Sequence, residues 1–243
     1  MSSIESQYVT MKVSDGSEMR AYTARPSAAG RYPGLMVFQE AFGVNAHIRD
    51  VTERFAREGY VAMAPELFHR AQAGFEGRYD DFPSAMRLMQ ALTNEGLEAD
   101  VRATYETLQS DSIVAQSQTA CIGFCMGGRV VFLANAAVPV KAAVSFYGGG
   151  IAPNQAGPGL LSRAGDLHAP TLLFWGLLDK HIGIEAPRAV ADALRGAGKQ
   201  FVNVEFSDGD HGYFCDARPS YNAAAAGQSW ALSLQFLKTH LGA

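Results

Sequence analysis

Only three cysteines, Cys121, Cys125 and Cys215, stand among 243 residues, and an odd, sparse set does not build a disulfide framework. A reducing, cytoplasmic setting is expected. Long apolar runs are missing too: none approaches the ~18 residues that a membrane span needs, and the first twenty residues are polar and acidic where a secretory leader needs an apolar stretch. No membrane partner is expected. Charge is scarce, at 18% of residues with a formal net charge of −4, and no basic run is interleaved with aromatics, which excludes the electrostatic footprint of a nucleic-acid binder. Neither the cysteines nor the six histidines show metal-ligand spacing, so no metal and no cofactor are expected. A small molecule remains as the partner, and a monomer is favoured.

What is present is apolar and periodic. With 48% hydrophobic residues the chain can bury a large core, and residues 1–243 are expected to form one domain. Two alternating segments, about 7–13 and 18–24, meet at Asp15-Gly16 and read as an antiparallel edge hairpin. Short apolar runs then recur at 33–38, 60–64, 119–123, 141–147, 170–176 and 201–206, separated by helical patterns near 46–58, 83–92, 95–110, 126–137, 185–197 and 221–240. Continuous apolar strands alternating with helices indicate an α/β fold, a mostly parallel sheet of about eight strands with helices on both faces. The connections 68–82 and 148–168 are long for a compact fold, and both are expected to wall a site.

Chemistry concentrates in Gly123-Phe124-Cys125-Met126-Gly127-Gly128, directly after the run Thr119–Ile122. A strand that breaks sharply into a helix strains and exposes the residue at its apex, and the positions two before and two after it must be nearly free of side chain. Gly123 and Gly127 meet that demand and put Cys125 at the apex of a nucleophile elbow. The Met126 amide would then open a helix whose dipole favours negative charge and would supply half an oxyanion hole. The alternative is an inert core thiol beside two glycines.

A cysteine nucleophile needs a base, and the base needs a carboxylate. Asp179 follows the run 170–176, and His211 follows the run 201–206, giving the order nucleophile, acid, histidine that α/β-hydrolases use. Asp208 or Asp210 could pair with the histidine instead. Of the other histidines, His47 would begin a helix and His69 would lie in a loop. Gln39-Glu40-Ala41-Phe42-Gly43 follows the run 33–38, so the Ala41 amide would be the second oxyanion donor and Glu40 would point at the nucleophile. A carboxylate disfavours a neighbouring thiolate, which suggests a gate; a salt bridge at a loop edge is the alternative.

The strings QEAFGVN (39–45), GFCMGG (123–128), GLLDKH (176–181) and DHGYF (210–214) resemble, in matching order, the dienelactone hydrolase family of α/β-hydrolases, the carboxymethylenebutenolidases. The resemblance implies a Cys125–His211–Asp179 triad, Glu40 holding the resting thiol until substrate displaces it, and the Met126 and Ala41 amides as oxyanion hole. It also implies two arginines that clamp a substrate carboxylate, where this chain has Phe82 and Cys215. Arg78 and Arg218 are candidate substitutes, and Phe42, Phe82, Tyr147, Trp175 and Tyr213 are candidate pocket walls. A thiolate leaves a tetrahedral intermediate more readily than an ordinary alkoxide does, so activated esters and lactones are the expected substrates, cleaved through a thioester without a cofactor. A broader carboxylesterase for apolar esters, or a sensor thiol on the same fold, are the other readings.

Overall fold

In a computed structural model, which describes residues 3–155 and 157–242, eight strands form a single sheet of order β1-β2-β4-β3-β5-β6-β7-β8. The hairpin is β1 (Ile4–Lys12) and β2 (Glu18–Pro26), antiparallel, each strand longer than its alternating segment. Its turn closes as the sequence implies: Gly16 takes φ +88°, a left-handed conformation that side chains resist. The Asp15 carboxylate accepts from the Ser17 amide at 3.0 Å. β2 pairs antiparallel with β4 (Val61–Pro65), and every later pairing is parallel, through β3 (Tyr32–Phe38), β5 (Val114–Phe124), β6 (Ala143–Phe146), β7 (Thr171–Gly176) and β8 (Phe201–Phe206).

Helices α1 (Ala46–Arg57), α2 (His69–Gln72), α3 (Phe82–Gln90), α4 (Asn94–Ser110), α5 (Met126–Ala137), α6 (Ala186–Gly196) and α7 (Ala223–Leu241) fall between and after the strands, all near expected positions except the one-turn α2, which replaces the expected loop at His69 and buries that imidazole 3.1 Å from Asp100. The α/β-hydrolase architecture is therefore the one the sequence implies. Alternation along the strands sends side chains to two buried layers. Leu35, Val37, Ile122, Val144 and Phe174 enter one, together with α1 and α7; Met36, Phe38, Cys121, Leu173 and Trp175 enter the other, together with α4, α5 and α6. Cys121 is a core thiol, wholly buried, with burial pushing its pKa up.

Two elements depart from the sequence pattern. β5 begins at Val114 rather than at 119, because Val114 already pairs with Tyr32; the residues 115–118 bulge out before pairing with β3 resumes at Thr119 opposite Gly34, and Gln109 of α4 holds the bulge through the Ser117 amide and the Gln116 side chain. The connection 148–168, expected to wall the site, instead feeds the core. Leu160 and Ala164 are buried in the layer of α5 and α6, a 3-10 helix at Leu161–Asp166 packs on those two helices, and Arg163 bridges Glu98 at 2.8 Å.

Strand order sets the place for chemistry. From β3 the chain crosses to β4 on one side and later to β5 on the other, so the carboxyl ends of β3 and β5 flank a topological switch point, where open α/β sheets bind ligands. The registers Phe38 to Gly123 and Phe124 to Phe146 bring the residues that follow β3, β5 and β6 to one level.

Candidate active site

The apex after β5 is as tight as its glycines imply. Cys125 has φ 56° and ψ −117°, a conformation that costs a side-chain-bearing residue about 1–3 kcal/mol. A Cβ on Gly123 would stand 2.2 Å from the Gly127 carbonyl oxygen, and one on Gly127 would stand 2.3 Å from the Phe38 carbonyl oxygen. The glycines are therefore required by close backbone approach, between β5 and α5 and between α5 and β3. The Cys125 amide donates to the Phe146 carbonyl at 3.0 Å, and its own carbonyl accepts from the Gly128 amide at 2.9 Å, so the strained turn is locked on both sides. Cys125 itself is partly exposed.

His211 approaches from the loop after β8. Its Nδ1 lies 2.6 Å from Oδ2 of Asp179, three residues beyond the end of β7. The other carboxylate oxygen of Asp179 accepts from the His181 and Ile182 amides at 2.8 and 3.2 Å. Burial opposes the charge of Asp179, but the His211 hydrogen bond, the imidazolium charge and those two amides outweigh it and hold the carboxyl below its usual range. Burial likewise opposes protonation of His211. The Cys125 sulfur, contributing charge and a hydrogen bond, and the Asp179 carboxylate overcome it and push the imidazole up to about 10. The competing partners are otherwise engaged: Asp210 accepts from the His211 backbone amide at 2.6 Å, and Asp208 from Asn222 at 3.0 Å. Tyr147 and His181 flank the imidazole with ring centroids 5.2 and 5.4 Å away.

Glu40, directly after β3, is wholly buried. Its Oε1 accepts from Nη1 of Arg218 at 3.2 Å, whereas Oε2 has no partner. The partner recorded for the Glu40 carboxylate is thus Arg218, and not the Cys125 thiol that the resemblance implies. Arg218 is mostly buried over the rings of Phe42 and Tyr79, with centroids 5.9 and 5.7 Å from its guanidinium carbon. Burial disfavours its charge, and the nearby Glu40 and Cys125 more than restore it.

Other expectations sort by geometry. Phe42 contacts Tyr79 and Phe82, with ring centroids at 4.7 and 6.4 Å, and Tyr213 packs against Tyr147 at 5.4 Å. Ala41 is buried in the loop between Glu40 and Phe42, and Met126 is the first residue of α5, where an amide has no acceptor within its own helix. Arg78 does not join the group: its side chain is 80% exposed and pairs with Asp80 at 2.6 Å, two residues along the same loop. Trp175 does not wall the site either. Strand alternation turns it into the layer opposite Phe174, where its Nε1 donates to Asn203 at 2.7 Å.

Sequence reasoning missed Tyr79 and His47. The Tyr79 oxygen accepts from the Cys215 thiol at 3.2 Å and from Asn45 Nδ2 at 3.1 Å; its loop was singled out for its length, but nothing marked the residue. His47, on the first turn of α1, is buried with Nε2 unpartnered, and burial lowers its pKa. Glu40, His47 and Cys215 each turn one potential ligand atom to a common point, within 4.8 Å of one another. Their positions, 40, 47 and 215, form no spacing motif. Burial and the nearby Glu40 push the Cys215 thiol up to about 11. A cavity of about 550 Å³ between Asp15, Arg70 and the start of α4 shares none of these residues, so the site is marked by its chemistry rather than by its volume.

Comparison with known proteins agrees with the geometry. Residues 19–241 match the model of the dienelactone hydrolase family. A protein of Synechocystis sp. that carries the name carboxymethylenebutenolidase is 38% identical over 92% of this chain and 93% of its own length, and one of Escherichia coli K12 so named is 36% identical over 94% and 85%. A crystal structure titled as a dienelactone hydrolase from Klebsiella pneumoniae superposes with a TM-score of 0.88 at 32% identity, covering 97% of this chain and 98% of that one.

Proposed function

This chain belongs to the dienelactone hydrolase family of hydrolases, and from that premise we propose that it cleaves activated carboxylic esters or lactones with Cys125 as nucleophile. The observation that carries the reading is the 2.6 Å contact of His211 with Asp179 beside a cysteine held at φ 56°. The imidazole, raised to about 10, is an imidazolium at neutral pH and stands beside the Cys125 sulfur. The thiolate adds to the ester carbonyl, and the Met126 and Ala41 amides receive the negative charge that develops on its oxygen. As the tetrahedral intermediate collapses, the carbon–oxygen bond breaks, His211 protonates the departing oxygen, and a thioester remains on Cys125. Water then adds to the thioester with His211 as base, and the acid leaves as the thiol is regenerated.

Asp179 keeps the imidazole in the required tautomer and orientation. Glu40 and Arg218 form a buried pair whose charge faces the nucleophile, and Phe42, Phe82, Tyr147 and Tyr213 make the surroundings apolar. Arg218 is the cation that stands beside Glu40, so a substrate carboxylate would compete with Glu40 for it. The aromatic walls support a second reading, a broader esterase for uncharged esters, because Phe82 and Cys215 supply no cation.

The test compares kcat/KM for a dienelactone and for p-nitrophenyl acetate in wild type and in Arg218→Ala. Loss of dienelactone turnover with acetate turnover kept would assign Arg218 to the substrate carboxylate. Robust acetate turnover with negligible dienelactone turnover in the wild type would support the broader esterase. Turnover that survives Cys125→Ala would remove Cys125 as nucleophile.

A further inference from the structure

Behind the Glu40–Arg218 pair lies a group of buried atoms that the hydrolytic steps do not use. Glu40 is wholly buried and His47 and Cys215 nearly or fully so, yet Glu40 Oε2 and His47 Nε2 have no hydrogen-bond partner among the described residues. Buried polar atoms are normally satisfied, and two orphans at one point call for a missing partner. With Cys215 Sγ they make a carboxylate oxygen, an imidazole nitrogen and a sulfur, all within 4.8 Å of one another.

We propose that Glu40, His47 and Cys215 form a binding site for a borderline-soft divalent cation of the zinc type. Tetrahedral zinc places carboxylate, imidazole and thiolate ligand atoms about 3.3–3.6 Å apart, so the three have to close by only about 1 Å. The donor set is the mixed oxygen, nitrogen and sulfur set that zinc accepts and that magnesium and calcium do not. Coordination leaves the Arg218–Glu40 bond in place, because Arg218 holds Oε1 while Oε2 is the free oxygen. Binding replaces the Cys215 sulfur–hydrogen bond by a sulfur–metal bond and releases one proton to solvent. Tyr79, whose oxygen now accepts from the thiol, then turns its O–H to donate to the thiolate and fixes it from the outer shell, with Asn45 still donating to Tyr79. A fourth position stays open for water. The ion would fix Glu40 in place, so the site is one where such a cation restrains the hydrolase rather than one that drives it.

Cobalt(II) is the probe, read by its thiolate-to-metal charge-transfer band and by the visible bands of tetrahedral cobalt. The Cys125→Ala chain removes the other candidate thiolate. In that background one cobalt per chain with both sets of bands is expected. Cys215→Ser should abolish the charge-transfer band, and His47→Gln should weaken binding roughly tenfold or more. Far-UV circular dichroism checks that each variant is folded, and the His47→Gln arm decides if the serine variant is not. Absence of the band in Cys125→Ala, or a band there that neither Cys215→Ser nor His47→Gln alters, would overturn the proposal. Neither result bears on whether Cys125 is the nucleophile.

Discussion

Cys125 sits under two opposed demands, a backbone that favours glycine and, in the proposed mechanism, a chemistry that requires sulfur. The comparison of Cys125→Gly with Cys125→Ala separates them, since both lack the thiol and only glycine relaxes φ 56°. The glycine variant is expected to be the more stable of the two by about 1 kcal/mol in urea denaturation, and equal stability would mean that the turn stores no strain. Cys125→Ser should lose most activity, because its hydroxyl lacks the ready ionisation of a thiol. Asp179→Asn should lower kcat by roughly 10²–10⁴-fold with little change in KM, as a misoriented imidazole would. A large rise in KM instead would make Asp179 a substrate contact. Single residues are also where the sequence was least legible. The apex, the acid and the histidine follow strand ends, so their order could be read off. Arg78 and Arg218 looked alike, and only the fold turns one to solvent beside Asp80 and the other onto Glu40. His47, separated from Cys215 by most of the chain, carried no signal at all.

Elements were more legible, because each obeys a local rule. Asp15-Gly16 gives the hairpin its turn, and continuous apolar runs give the central strands their burial on both faces. β5 shows where the rule stops: its polar first half bulges away from β3 between Val114 and Thr119 and is held by Gln109 of α4, a tertiary contact that no local pattern signals. The loop 148–168 shows the converse, since length alone did not distinguish a site wall from a stretch that buries Leu160 and Ala164. The contact of α5 with β3 through Gly127 is the element-scale feature that matters most to the site. Gly127→Ala puts a methyl carbon 2.3 Å from the Phe38 carbonyl oxygen and 2.6 Å from that of Gln39, at the root of the Glu40–Ala41 loop. It should destabilise the fold by about 1–3 kcal/mol and depress kcat together, measured by urea midpoint and ester turnover. Gly196→Ala, where an added Cβ meets nothing within 4 Å, is the control expected to do neither.

At the scale of the whole molecule, five strand ends bring residues from positions 40 to 211 to one edge of the sheet, and the charges gathered there link activity to stability. No helix among the described residues is long and apolar enough to cross a membrane. The folded pKa of His211, about 10, lies above the ordinary 6.5, so its charge contributes stability fully below about pH 6.5 and loses it as pH rises through about 10. Wild type should therefore lose more stability between pH 7 and 10 than His211→Gln, as read from urea midpoints; parallel losses would place the imidazole outside the charge network. The proposed hydrolysis turns on covalent bonding at one sulfur, and rapid-quench intact-mass spectrometry with p-nitrophenyl acetate reads that bond directly. The prediction is a chain heavier by one acetyl group within the first turnover, carried on Cys125 and lost on further incubation. An acetyl group on any other residue, or turnover with none detected, would contradict it.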